Sequence, residues 1–194
     1  KIFIKINNKT TALQIGDLNI KNVLSTVAVL KELEIDISKI KNNFKNLESS
    51  EGRGRKYHIN RYKKKFKLID ESYNSNPLSA KVAINKISLI KKVKFKKYLI
   101  LGDMLELGSR SKKYHVELFK VINNSDIDKV FIKGKETIFA YKHLNKEKRG
   151  NILQNDEDVD LSLSKMISNN DYLMIKGSNA TGLNELSKKM IKGK

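Results

Sequence analysis

The first 15 residues alternate, with Ile2, Ile4 and Ile6 apolar against Lys1, Lys5 and Asn7, which predicts a strand and possible hairpin. From Asn19 the apolar residues Ile20, Val23, Leu24, Val27, Val29 and Leu30 fall at helical spacing, with Asp17 or Asn19 available as the cap. A second helix is expected from Ser38 to Leu47. The segment SSEGRGRK at 49–56 is glycine-rich and basic, so it predicts a loop and a domain boundary, giving units 1–52 and 53–194. Beyond it, Tyr57 to Asp70 predicts two short strands. Pro77, the only proline, suits the first turn of a helix whose apolar positions run through Val82, Ala83, Ile84, Ile87 and Ile90. One theme then repeats. Strands are expected at 98–103, 129–134, 151–154 and 172–177, each followed by a helix, at 111–124, 136–144, 158–168 and 182–191. Strand–helix alternation at this spacing implies an α/β fold, a mostly parallel sheet with helices on both faces, with ligands bound at the carboxyl ends of the strands.

Composition changes this picture little. There are no cysteines, which excludes disulfides and thiolate metal sites and fits a reducing, cytoplasmic setting. No apolar run approaches the roughly 20 residues of a membrane span. The sequence opens at Lys1 directly in strand-like KIFIKI, which predicts that it continues a longer chain. The net charge of +19 raises the question of nucleic acid. Lysine greatly outnumbers arginine, however, and the lysines are spread along the chain among many Asn and Ile residues. That is the pattern of compositional bias and a solvated basic surface, so no nucleic-acid partner is expected.

Chemistry concentrates at the predicted strand ends. In Ile69-Asp70-Glu71-Ser72-Tyr73-Asn74-Ser75-Asn76-Pro77, a carboxylate suits ribose hydroxyls, a tyrosine face suits a base, and Asn side chains can both donate and accept. A polar loop capping the next helix accounts for these residues equally well. In Gly102-Asp103-Met104-Leu105-Glu106-Leu107-Gly108, two acids three residues apart could orient a metal-bound water or an ammonium group; spacing alone favours a tight loop. Lys176-Gly177-Ser178-Asn179-Ala180-Thr181-Gly182 combines a cation, a glycine, a hydroxyl and a following helix, an anion-binding pattern that is also an ordinary strand–helix turn. Arg53 and Arg55 suit phosphate, or a solvated linker. His58, His115 and His143 are widely separated and give no metal motif, and neither a G-x-x-x-x-G-K-[ST] loop nor a G-x-S-x-G elbow occurs.

In combined order, the Gly52-Arg53 loop, Asp70 to Pro77, Gly102 to Gly108, His115 and Lys176 to Ala180 resemble the C-terminal region of the Mur-type ATP-dependent amide ligases, on the branch that adds D-alanyl-D-alanine. Asn19-Ile20-Lys21-Asn22 is similar to the helix start at the end of that family's central domain, so the likeness runs from about residue 15 to residue 190. The resemblance implies a Rossmann-like C-terminal domain preceded by a small α+β remnant of the central ATPase domain. It implies nucleotide contacts from Asn19, Asn22, Arg53, Asp70, Tyr73, Asn74 and Asn76, and a D-Ala-D-Ala side at Asp103, Glu106, Lys176 and Ser178.

It further implies ATP and Mg2+ as cofactors, both held mainly by the central domain, UDP-MurNAc-tripeptide and D-Ala-D-Ala as substrates, a monomer, and a role in peptidoglycan precursor synthesis. Three positions depart from the family pattern: Leu18 stands for a His, Ser75 for an Ala and Asn179 for an Arg. The P-loop and the modified lysine of these ligases have no counterpart here, so the chain alone is expected neither to hydrolyse ATP nor to ligate. The competing readings are a related ligase adding another amino acid, a stand-alone nucleotide- or nucleic-acid-binding module, and a folded but inactive product of a split gene.

Overall fold

The computed structural model describes residues 2–6, 9–15, 18, 20–91 and 93–193. The chain forms two compact units, Lys1–Ser50 and Glu51–Lys194. In the first, strands β1 (Ile2–Ile6) and β2 (Lys9–Leu13) pair antiparallel, as the alternation predicts. Helix α1 (Ile20–Glu32) buries Val23 and Val27 with Ile4, Leu13, Ile37 and Phe44. Its predicted cap, Asp17 or Asn19, lies outside the described residues. The helix expected over 38–47 is instead a single turn, α2 (Ile37–Ile40), capped by Asp36 on the Ser38 N–H, followed by a 3-10 turn at Asn43–Asn46. The asparagines at 42, 43 and 46 are weak helix formers, and Phe44 gains more by turning into the core.

The second unit begins with an antiparallel hairpin, β3 (Arg55–Arg61) and β4 (Lys64–Glu71). Tyr62 and Lys63 at its tip are both left-handed, at φ 56° and 57°, a conformation that glycine or asparagine adopts more readily. A tertiary anchor compensates: Asp160 accepts the Tyr62 hydroxyl and two bonds from Arg61 Nη2 at 3.0 and 3.1 Å. Helix α3 (Pro77–Ser88) starts where the proline predicts, with Asn76 and Ser79 forming a reciprocal capping box. There follow β5 (Lys97–Gly102), α4 (Ser111–Asn123), β6 (Lys129–Lys133), α5 (Lys135–Ala140), β7 (Arg149–Ile152), α6 (Asp156–Met166), β8 (Tyr172–Lys176) and α7 (Leu183–Lys192). The helix expected to reach 144 ends at Ala140 and passes into a 3-10 turn, and β7 lies two residues earlier than expected.

The six strands lie in the order β3-β4-β8-β5-β6-β7, all parallel except β3. Alternate residues of β5 divide the core: Leu99 and Leu101 pack with Ala83, Ile84, Ile87, Phe119 and Ile122 of α3 and α4. Tyr98 and Ile100 pack on the other face with Val159, Leu163, Leu186 and Met190 of α6 and α7. Period-two alternation in a strand covered on both faces supplies both layers, so apolar runs such as YLIL need no polar side. The position of β8 matters most. Lys176 is in register with Glu71 on one side and Leu101 on the other, and Gly102 with Lys133. The carboxyl ends of β4, β8, β5 and β6 thus share one edge.

Candidate ligand edge at the strand carboxyl ends

Three sequence motifs meet on this edge, and side-chain hydrogen bonds join them. The Ser178 hydroxyl accepts from the Leu105 N–H (3.0 Å) and donates to the Ser75 carbonyl (3.3 Å), while the Ser178 N–H donates to the Asp103 carbonyl (3.0 Å). One buried serine therefore ties the loops after β4, β5 and β8 together. The Thr181 hydroxyl closes the last of them on the Ser178 carbonyl at 2.6 Å.

Asp70, at the end of β4 and 1% exposed, accepts the Gly52 N–H at 2.9 Å on one oxygen. Its other oxygen accepts the Ser72 N–H at 3.2 Å and the Ser72 hydroxyl at 2.5 Å. Asn184 of α7 donates in turn to the Ser72 hydroxyl at 3.2 Å. The carboxylate expected to meet a ribose here organises the glycine loop. That loop approaches closely because Gly52, at φ +69°, has no Cβ; one built there would lie 2.6 Å from Tyr73 Cβ. Arg53, carried by the loop, stacks on the half-exposed Tyr73 ring at 4.6 Å. Asn74 accepts the Ser75 N–H, and Asn76 caps α3. Arg53, Tyr73 and Asn74 are therefore gathered at one corner. Asn22 is exposed on α1 of the other unit, and Asn19 lies outside the described residues.

Asp103 and Glu106 are not a pair. Asp103 is buried and accepts the N–H and hydroxyl of Thr137 at 2.8 and 3.0 Å and the Glu136 N–H at 3.3 Å. It caps α5, whose own N-cap is Gly134 and has no side chain to offer. Glu106 is exposed and left-handed, at φ +63°. Among the described residues its side chain makes no hydrogen bond or ion pair, and neither does that of Lys133, whose ammonium lies against Gly182. An acid and a cation thus stand free along this edge.

Lys176, 1% exposed, is not an open anion site either. It donates to the Asn74 carbonyl and, at 3.4 Å, to that of Glu71. Burial lowers its pKa to about 8; the facing Glu71 carboxylate works against the fall and Arg53 adds to it. Burial likewise raises the Glu71 carboxyl, although Lys176 and Lys86 pull it back.

His115, Thr137, Ser72 and Asn184 were not singled out as site residues by sequence reasoning. A signal existed for His115, which lies on the buried face of α4 with Leu118, Phe119 and Ile122, where a ring nitrogen must find partners. The Ser75 hydroxyl is buried and has no hydrogen-bond partner among the described residues. Ser75→Ala is therefore expected to leave stability unchanged or raise it by up to about 1 kcal/mol in urea titration, since no bond is lost.

Fold and edge define the class: an α/β domain of doubly wound type whose motif loops meet at the carboxyl ends of its parallel strands, where domains of this class bind ligands. The chain belongs to the Mur ligase family, its residues 54–179 matching the family described as Mur ligase, glutamate ligase domain. A UDP-N-acetylmuramoyl-tripeptide--D-alanyl-D-alanine ligase of Bacillus subtilis is 34% identical over 128 residues, covering 64% of this chain and 28% of the relative. The enzyme of that name from Buchnera aphidicola (subsp. Acyrthosiphon pisum) is 32% identical over 192 residues, covering 92% and 38% respectively. The chain thus spans under two-fifths of these relatives. Among solved structures, the MurF ligase of Thermotoga maritima in complex with ADP superposes with a TM-score of 0.77 at 18% identity, over 99% of this chain and 45% of that one. MurF of Acinetobacter baumannii gives 0.78 at 19%, over 98% and 42%. These likenesses support the α/β fold.

Proposed function

We propose that this chain is the C-terminal part, residues 53–194 with the end of a central domain at 1–52, of an ATP-dependent ligase that joins D-alanyl-D-alanine to UDP-MurNAc-tripeptide. The single observation that carries this reading is the meeting of the three motif loops on one strand edge, in a chain whose relatives from Bacillus subtilis and Buchnera aphidicola bear that name. In the proposed reaction the γ-phosphoryl group of ATP passes to the terminal carboxylate of the tripeptide, giving an acyl phosphate and ADP. The D-Ala-D-Ala amine then attacks the acyl carbon, phosphate leaves, and the amine loses a proton.

Arg53 and Tyr73 serve the nucleotide corner, with Arg53 offering its guanidinium to phosphate. On the dipeptide side Glu106 meets the ammonium and Lys133 is the cation free for the carboxylate, while Asp70, Asp103, Lys176 and Ser178 hold the loops that present them. Bound with ATP, Mg2+ would neutralise phosphoryl charge. Among the described residues there is no group of three or more His, Asp or Glu that could hold a metal ion.

The test is ATP-dependent ligation by the full product of the gene that encodes this chain. ADP release is expected to require UDP-MurNAc-tripeptide and D-Ala-D-Ala together, and the isolated 194-residue chain is expected to be inactive. Turnover with a different amino acid in place of D-Ala-D-Ala would move the assignment to a sister ligase. Salt-sensitive binding of DNA or RNA without turnover would replace it with the nucleic-acid reading.

A further inference from the structure

We propose that His115 is a positioning residue that fixes the backbone of the 103–108 loop and so presents Glu106. The ring is buried in α4, and both nitrogens are engaged. Nδ1 lies 2.8 Å from the Ser111 carbonyl, which can only accept, so Nδ1 carries the proton. Nε2 lies 3.0 Å from the Met104 N–H, which can only donate, so Nε2 is bare. The neutral Nδ1–H tautomer is the one form that satisfies both partners. Asp103 Oδ1, at 4.0 Å from Nε2, is the facing carboxylate, but it is held by Thr137 and the contact is not an ion pair.

The consequence falls on the next two residues. The Met104 N–H is taken by His115 and the Leu105 N–H by Ser178, so successive amides are pinned by side chains from two different elements. Glu106 follows directly, in a left-handed conformation that an L-residue adopts only when its surroundings impose it. Releasing either pin lets the loop relax and the exposed carboxylate swing away. The ring also suits the span: its first nitrogen is anchored one helical turn back at Ser111, which aims the second across to the loop.

The clamp itself is independent of what the protein does; only its consequence for a substrate amine rests on the ligase reading. Two variants separate the bonds. His115→Gln keeps an acceptor near Nε2 and can still take the Met104 N–H. His115→Asn keeps only the position of Nδ1. In the 194-residue chain, 15N spectra are expected to show His115 protonated at Nδ1 alone. Exchange of the Met104 amide is expected to speed up about tenfold in His115→Asn and to stay near wild type in His115→Gln, with the β8 amides unchanged in both.

In the full gene product, His115→Asn is expected to lower kcat/KM for D-Ala-D-Ala about tenfold, as is Glu106→Gln, while the double variant falls about tenfold and not a hundredfold. Additive losses, equal behaviour of the Gln and Asn variants, or a proton on Nε2 would each overturn the proposal. Should the wild-type product fail to ligate, the ligase reading falls, and the tautomer and exchange measurements still decide the clamp.

Discussion

Gly134→Ala is expected to destabilise the second unit by about 3–5 kcal/mol, one of the two largest effects foreseen for this chain. Gly134 has φ 124° and ψ 157°, a region essentially closed to other residues, and entering it costs about 1–3 kcal/mol. A Cβ there would also stand 2.4 Å from the Asp103 carboxyl carbon, so that side chain must move. Moving it uncaps α5 and breaks bonds from Thr137 and Glu136 to a charged acceptor, each bond to a charged group being worth about 1.5–3 kcal/mol. For a unit of this size the melting temperature should fall by about 10 °C. Because the clash is with Asp103, adding Asp103→Ala should cost less in the Gly134→Ala background than in the wild type. A loss below about 1 kcal/mol from Gly134→Ala alone would show that the cap is not held as described.

The second large effect is one of pH. Lys176 titrates at about 8 in the folded protein, against an ordinary value of 10.5. Below the folded value both states carry the proton, and the burden of burying the ammonium is fully present. Between the two values the unfolded chain binds more protons than the folded one, so stability rises with pH. Relative to Lys176→Met, which has no such group, the wild type should gain up to about 3 kcal/mol between pH 8 and 10.5, taking about 1.4 kcal/mol per unit of displacement. Urea titrations of both proteins across that range measure the difference. A difference that stays flat would mean that the ammonium is hydrated and not enclosed beneath Asn74 and Glu71.

Much of the architecture was legible because its causes are local. Asn76 and Pro77 mark the start of α3 through contacts within three residues. The apolar pairs on β5 reveal a strand covered on both faces by simple alternation. Local causes also failed where a distant partner competed, as at the helix expected over 38–47, where Phe44 turns into the core of its own unit. The hairpin tip at Tyr62-Lys63 lacks glycine or asparagine and is held by Asp160, about a hundred residues away along the chain.

The site divides the same way. Motif order and the strand-end positions of Asp70, Asp103, Lys176 and Ser178 were determined by the sequence alone, and they were enough to locate the strand edge where these loops meet. That all four are buried and spend their polar atoms on the protein was decided only by the tertiary structure. Asp103 reads like a partner for Glu106, three residues away, yet its oxygens go to Thr137 at the start of the helix beyond the neighbouring strand. Lys176 and Ser178 read like an anion site, yet they bond to Asn74 and Ser75 because β8, the last strand in sequence, inserts between β4 and β5. A buried polar group must find a partner wherever the fold places one, and strand order sets those places across separations that no local pattern records.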